Sequence, residues 1–204
     1  MPHPIWDRIE EARARWNVLE HPFYVRWSAG KLSAEDLAAY SGQYRHATVA
    51  IAGLSSAVAE AAPAGEREEL RQHAAEEAAH VGLWDGFVDA TGGDAAAPAG
   101  DETGECVAAW TRDDGFLPGL VRLYAIESGQ PAISRTKREG LDAHYGIHAG
   151  PGNEYFRVHE RADVVHAAQG RALIERHLDG ADPDELVGAA ESAFCANWRL
   201  LDGV

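Results

Sequence analysis

The sequence predicts a single all-α domain, a bundle of about seven helices. Alanine-rich stretches such as "WDRIEEARARW" and "DELVGAAESAFCANWRLL" repeat apolar residues at three- and four-residue spacing, the period of an amphipathic helix. No strand-like alternation with hairpin turns appears anywhere in the chain. The 204 residues, 46% of them hydrophobic, are enough to bury one sizeable core.

The first helix is expected from about Ile5 to Leu19, with "HPFYVRWSAGKLS" as a connection broken at Gly30. Ser33 reads as the N-cap of a long helix through "AEDLAAYSGQYRHATVAIAGLSSAVAEAA", which Pro63 and Gly65 terminate. "EREELRQHAAEEAAHVGLWDGFVDATGG" is the third helix, and "GGDAAAPAGDETG" a loop with no core face. "ECVAAWTRDDGFLPGLVRLYAIESG" is helical, with a bend or break at Gly115 and Pro118. Pro131 opens a helix running to about Tyr145, followed by the loop "GIHAGPGNE". The helix containing "FRVHERADVVHAAQG" and a last one from about Asp184 complete the bundle.

Composition excludes several functions. A formal charge of −15 argues against nucleic acid or an anionic membrane surface as partner. No apolar run reaches the length of a membrane span, and "MPHPIWDRIEE" lacks the apolar stretch of a secretory signal. Cys106 and Cys195 make neither a disulfide framework nor a CxxC motif. The expectation is a soluble cytoplasmic protein.

Two helices carry a pattern suited to metal. His159, Asp163 and His166 lie four and seven apart and share one helical face. The two histidines stand about 10 Å apart along the axis, too far to converge easily on one ion but well placed to serve two neighbours with Asp163 between them. On the other helix, His73, Glu76, Glu77 and His80 fall on one face, and Glu77 with His80 has the Glu-x-x-His spacing of carboxylate-bridged di-iron bundles. Glu127 is a lone carboxylate in an apolar stretch, and burying it requires a cation or hydrogen-bond donors. Each feature alone has a plainer explanation: a polar surface, a solvated face, a buried ion pair. Their coincidence in an all-helical chain favours metal. Mixed imidazole and carboxylate donors suit iron or manganese.

The stretches "HPFYVRWSAGKLS", "AYSGQYRH", "EEAAHVGLW", "YAIESGQPAISRTKREGL" and "EYFRVHERADVVHAAQGRALI" resemble the haem-oxygenase-like di-metal oxidases, from about residue 20 to 175. The resemblance is to the branch of the chlamydial protein associating with death domains, with thiaminase-like (TenA) and quinone-cofactor-synthase (PqqC) proteins as relatives. It implies a seven-helix haem-oxygenase-like bundle holding two iron ions, or iron and manganese, and using O₂ as co-substrate with an external reductant. By motif, His80, Glu127, His159, Asp163 and His166 match the family's ligands. The chlamydial branch has a glutamate where this chain has His73, while other branches use a Glu-x-x-His that Glu77 matches. Glu77 is the expected ligand, with His73 beside the site; His73 as ligand is the alternative. Some branches add a glutamate near Gln43, which cannot serve as an anionic ligand.

The chlamydial branch makes p-aminobenzoate from one of its own tyrosines, with a lysine as nitrogen donor. The implicated positions match Tyr24, Tyr40, Tyr155 and Lys137. The resemblance therefore implies a non-haem di-metal oxidoreductase that forms p-aminobenzoate at the expense of its own side chains. A biosynthetic oxidase or N-oxygenase acting on an external amino-acid-like or fatty-acid substrate is the first alternative, and a non-catalytic interaction protein the second. A homodimer is left open.

Overall fold

The computed structural model describes residues 3–204, and among these no strand occurs. Nine α-helices and one 3₁₀ turn follow in order: α1 (Ile5–Arg15), the turn Val18–Glu20, α2 (Pro22–Ser28), α3 (Ala34–Ala61), α4 (Arg67–Thr91), α5 (Asp101–Trp110), α6 (Phe116–Glu127), α7 (Gln130–His144), α8 (Pro151–Arg176) and α9 (Pro183–Asp202).

The termini follow local chemistry. Ser33 caps α3 through a capping box: its hydroxyl accepts from the Asp36 backbone N–H, and the Asp36 carboxylate accepts from the Ser33 N–H. Prolines occupy the first turns of α2, α7, α8 and α9, where a missing N–H costs nothing. Gly92 ends α4 in the left-handed region (φ 70°), and the Gly93 N–H bonds back to the Val88 carbonyl.

The helix count exceeds the expected seven for two reasons. The segment read as a connection contains α2, a helix of seven residues that is too short to show a period. The His21 imidazole caps it, accepting from the Phe23 N–H at 3.1 Å. The "ECVAAW…" stretch is broken outright after Trp110, and α6 begins at Phe116 with Pro118 in its first turn. Arg122, 1% exposed, secures the break by donating to the Arg112 carbonyl and the Asp114 carboxylate. The loop expected through Gly104 ends earlier, because α5 starts at Asp101. The expected helix to Leu19 stops at Arg15 and gives way to the 3₁₀ turn.

One continuous hydrophobic core runs through the molecule. Tyr40, Tyr44, Ala47, Ile51, Leu54 and Val58 form the buried stripe of α3, which packs on α4. Helices α4, α6 and α7 pack against α8, and α9 covers α1, α5 and α6 on the far side. Among the described residues no helix is long and apolar enough to cross a membrane.

Trp27 of α2 reaches α7 at Gly140, where its indole N–H donates to the Lys137 carbonyl at 3.3 Å. A Cβ at Gly140 would stand 2.4 Å from Trp27 Nε1, and Trp27 is fully buried with no room to retreat. Gly140→Ala is therefore expected to destabilise the chain by about 1–2 kcal/mol, an overpacking cost of roughly 1–3 kcal/mol only partly offset by alanine's better helix propensity. Urea denaturation monitored by tryptophan fluorescence checks this.

Candidate metal centre and tyrosine cage

The site forms where α4, α8 and the C-terminal end of α6 meet. His73, Glu77 and His80 project from α4 at i, i+4 and i+7, His159, Asp163 and His166 project from α8, and Glu127 is the last residue of α6. Glu77, Glu127, His159 and Asp163 are each no more than 4% exposed.

The donor atoms fall into two groups sharing Glu77. In the first, His73, Glu77, Glu127 and His166 each offer an atom within 4.8 Å of the others; in the second, Glu77, His80 and His159 do so. His73 Nε2 lies 2.9 Å from Glu127 Oε1 and 3.8 Å from Glu77 Oε1. Across the second group, Glu77 Oε1 is 3.1 Å from His80 Nδ1, and Oε2 is 3.9 Å from His159 Nε2. Asp163 Oδ1 lies 3.5 Å from His166 Nδ1. The His73 and His166 rings pack 4.2 Å apart between centroids, and those of His80 and His159 4.5 Å apart.

The chemistry of this set fits metal ions. His73 Nε2, Glu127 Oε1, His159 Nε2, His166 Nδ1 and both oxygens of Asp163 are buried without a hydrogen-bond partner. His73 and Glu127 are close but not aligned for a hydrogen bond. Asp163, with neither oxygen partnered, would cost several kcal/mol in an apolar interior unless a cation met it. His159 shows the ligand tautomer: its Nδ1 is 2.8 Å from the Tyr155 carbonyl, which can only accept, so Nε2 carries the free lone pair.

Electrostatics bind the cluster together. Burial would depress His73, but Glu127 overrides it and holds the imidazole up at about 9. Burial raises Glu127, with His73 opposing. For Glu77 burial is outweighed by His159 and His80, which hold the carboxyl well below the usual range.

The second half of the site is an aromatic cage. Lys137, 1% exposed on α7, points its amine at the rings of Tyr44 (4.5 Å), Tyr40 (5.1 Å), Trp84 (5.2 Å), Phe156 (5.3 Å) and Tyr24 (5.8 Å). Burial alone pushes the amine well below its ordinary 10.5, toward the nucleophilic free base. Tyr155 joins the halves: its ring stacks on His159 at 3.8 Å and meets Trp84 edge-on at 4.9 Å, and Trp84 in turn contacts Tyr40 and Tyr44. Tyr24, Tyr40, Tyr155 and Lys137 are thus brought together beside the ligand set. Sequence reading missed three cage members, Trp84, Phe156 and Tyr44, whose hydroxyl accepts from Gln130. The i+4 spacing of Tyr44 from Tyr40 looked like ordinary core.

Gln43 and Cys106, which the sequence reading gave no part in the site, lie elsewhere. Gln43 secures the loop before α5 by donating to the Pro98 carbonyl and accepting from the Gly100 N–H. Cys106 is buried and its thiol is pushed up, opposite to what activates a nucleophile.

A buried unpaired lysine should cost stability. Its folded pKa is below its unfolded one, so folding releases a proton between the two values and stability rises with pH across that window. Lys137→Met is expected to raise stability at neutral pH by on the order of 1 kcal/mol and to flatten that rise. Denaturation curves at pH 7 and above pH 9 check both.

The helix order and the buried inter-helical site define the haem-oxygenase-like all-α fold. A TenA homologue from P. horikoshii superposes with a TM-score of 0.77 at 15% identity, covering 97% of this chain and 95% of that one. A domain with a heme oxygenase-like fold from Shewanella denitrificans gives 0.76 at 18% identity, covering 95% and 88%. Within that fold the chain belongs to the 4-aminobenzoate synthase family. It is 34% identical to the 4-aminobenzoate synthase of Nitrosomonas europaea, covering 97% of this chain and 88% of that one. It is 33% identical to the Chlamydia trachomatis enzyme of the same name, covering 96% and 90%. No family-wide sequence profile matches.

Proposed function

We propose that this protein is an O₂-dependent enzyme that forms p-aminobenzoate from one of its own tyrosines, with Lys137 supplying the nitrogen. The observation that carries the reading is the junction of the two halves: a buried donor set with unpartnered atoms stands one stacked ring from the cage around Lys137. The names of the relatives point to the same product.

Seven side chains would hold two iron ions, or iron and manganese. Glu77 is common to both positions, His73, Glu127 and His166 serve the first, and His80 and His159 the second, with Asp163 beside His166. The metal pair would supply the reduction of O₂, with electrons from an external reductant. The chain's own groups do the rest. Tyr155 lies between His159 and the cage and is placed to carry oxidising equivalents inward. Forming the product breaks the Cα–Cβ bond of the tyrosine and oxidises Cβ to carboxylate at the expense of O₂, while the phenolic oxygen leaves as water when the amine condenses at that ring carbon and the Lys137 Cε–Nζ bond then breaks to leave the nitrogen on the ring. Tyr24, Tyr40 and Tyr44 all lie within 6 Å of the Lys137 amine, and Tyr24 and Tyr40 are the two at the positions that the family resemblance implicates. Trp84, Phe87 and Phe156 close the cage and exclude water from it.

Protein loaded anaerobically with Fe(II), alone or with Mn(II), then given reductant and O₂, should release p-aminobenzoate without any added substrate. Metal loading without product under these conditions would refute the reading. An oxidase acting on an external small molecule is the second reading, and the cavity of about 370 Å³ that opens onto His73, Glu127 and His166 favours it. Product dependent on an added compound would identify that case.

A further inference from the structure

The cavity between α4, α6 and α8 carries two carboxylates that the reaction above does not use. Its inner end is made by His73, His166 and Glu127, and Glu127 is 4% exposed with Oε1 unpartnered. Its outer wall carries Glu69 and Glu76. Among the described residues Arg176 is the one arginine or lysine in the lining, and its guanidinium is turned to Glu66 at 3.4 Å. Glu76 is 46% exposed, and its Oε2 stands 3.4 Å from His166 Nε2. The other carboxylate oxygen of Glu76 accepts from Gln72, which orients the group. His166 therefore spans the boundary, with Nε2 toward Glu76 and Nδ1 toward Asp163.

We propose that this cavity is the route by which divalent transition-metal ions reach the buried ligands, with Glu76 as a transient ligand at its mouth. The inference rests on the metal reading above. An acidic funnel in a chain of net charge −15 concentrates cations and repels carboxylate-bearing substrates. Carboxylate followed by imidazole is a donor order that can strip a hydrated ion stepwise. His80 and His159 line no part of the cavity, so an ion bound for them passes the first group, with Glu77 common to both.

Stopped-flow uptake of Co(II) by the metal-free full-length chain, followed by visible absorption, tests the route. Glu76→Gln should slow uptake roughly tenfold, leaving the number of ions bound at equilibrium unchanged. Gly170→Leu should also slow it, because a side chain there has ordinary space beside Tyr124 and would intrude on the lumen. Glu35→Gln, on the exposed first turn of α3, should leave the rate unaltered. Wild-type rates in both cavity variants would overturn the route while leaving the metal site standing. So would a lower ion count in Glu76→Gln at unchanged rate, or equal slowing by Glu35→Gln. A wild-type chain that binds no Co(II) would remove the metal reading and the route together.

Discussion

Glu77→Ala is expected to empty both metal positions at once. Among the described residues Glu77 is the one side chain that contributes to both donor groups, with Oε1 3.8 Å from His73 Nε2 in the first and 3.1 Å from His80 Nδ1 in the second. Its removal also deletes the anion that the surrounding imidazoles face, so four histidine rings would be left to hold dications with only Glu127 and Asp163 as counter-charge. Losing a ligand common to both ions should exceed the roughly 10–100-fold loss of affinity that follows from disturbing an outer partner. His80→Ala and His73→Ala each touch one group and should each lower the content by about one ion per chain, the other position staying filled. Anaerobic reconstitution followed by elemental analysis distinguishes these cases. If Glu77→Ala kept full metal content, the shared-carboxylate arrangement would be wrong. The same series settles His73: retention of both ions in His73→Ala would place it outside direct coordination.

Lys137→Arg is expected to keep its metal and lose p-aminobenzoate entirely. Lys137 lies among aromatic rings, with no metal-type donor among its close ring contacts, so metal binding should survive. A guanidinium stays protonated and cannot give up nitrogen as an amine can. Burial, which lowers the lysine amine, has no comparable effect on arginine. Because the larger head strains a closed cage, Lys137→Met serves as a second variant: it fits the space and offers no nitrogen at all. Both should load two ions and consume O₂, with product at background. Wild-type product from either would exclude Lys137 as the donor.

The parts of this site that are periodic within one helix were legible in the sequence. His159, Asp163 and His166 share a face because four- and seven-residue spacings do so on any α-helix, and the same holds for His73, Glu77 and His80. What brings α4 against α8 and the end of α6 is tertiary packing, which spacing does not encode. The division into two groups with Glu77 in common therefore emerges only from the fold. Helix α2 escaped notice because seven residues hold less than two full turns of pattern. Tyr44 escaped because a tyrosine in an apolar stripe reads as packing, and only the position of the Lys137 amine 4.5 Å from its ring distinguishes it. Glu76 shared a face with the other α4 residues, yet its role at the cavity mouth depends on His166 from another helix.

Consumption of a side chain sets a stoichiometric ceiling. One sample of metal-loaded protein, reduced and exposed to O₂ with no added substrate, can be divided between quantification of p-aminobenzoate and peptide mass mapping. The expected result is no more than one p-aminobenzoate per chain, matched by a peptide in which Tyr24 or Tyr40 has lost its ring. Many molecules of product per chain, with Tyr24, Tyr40, Tyr44 and Tyr155 all intact, would contradict it.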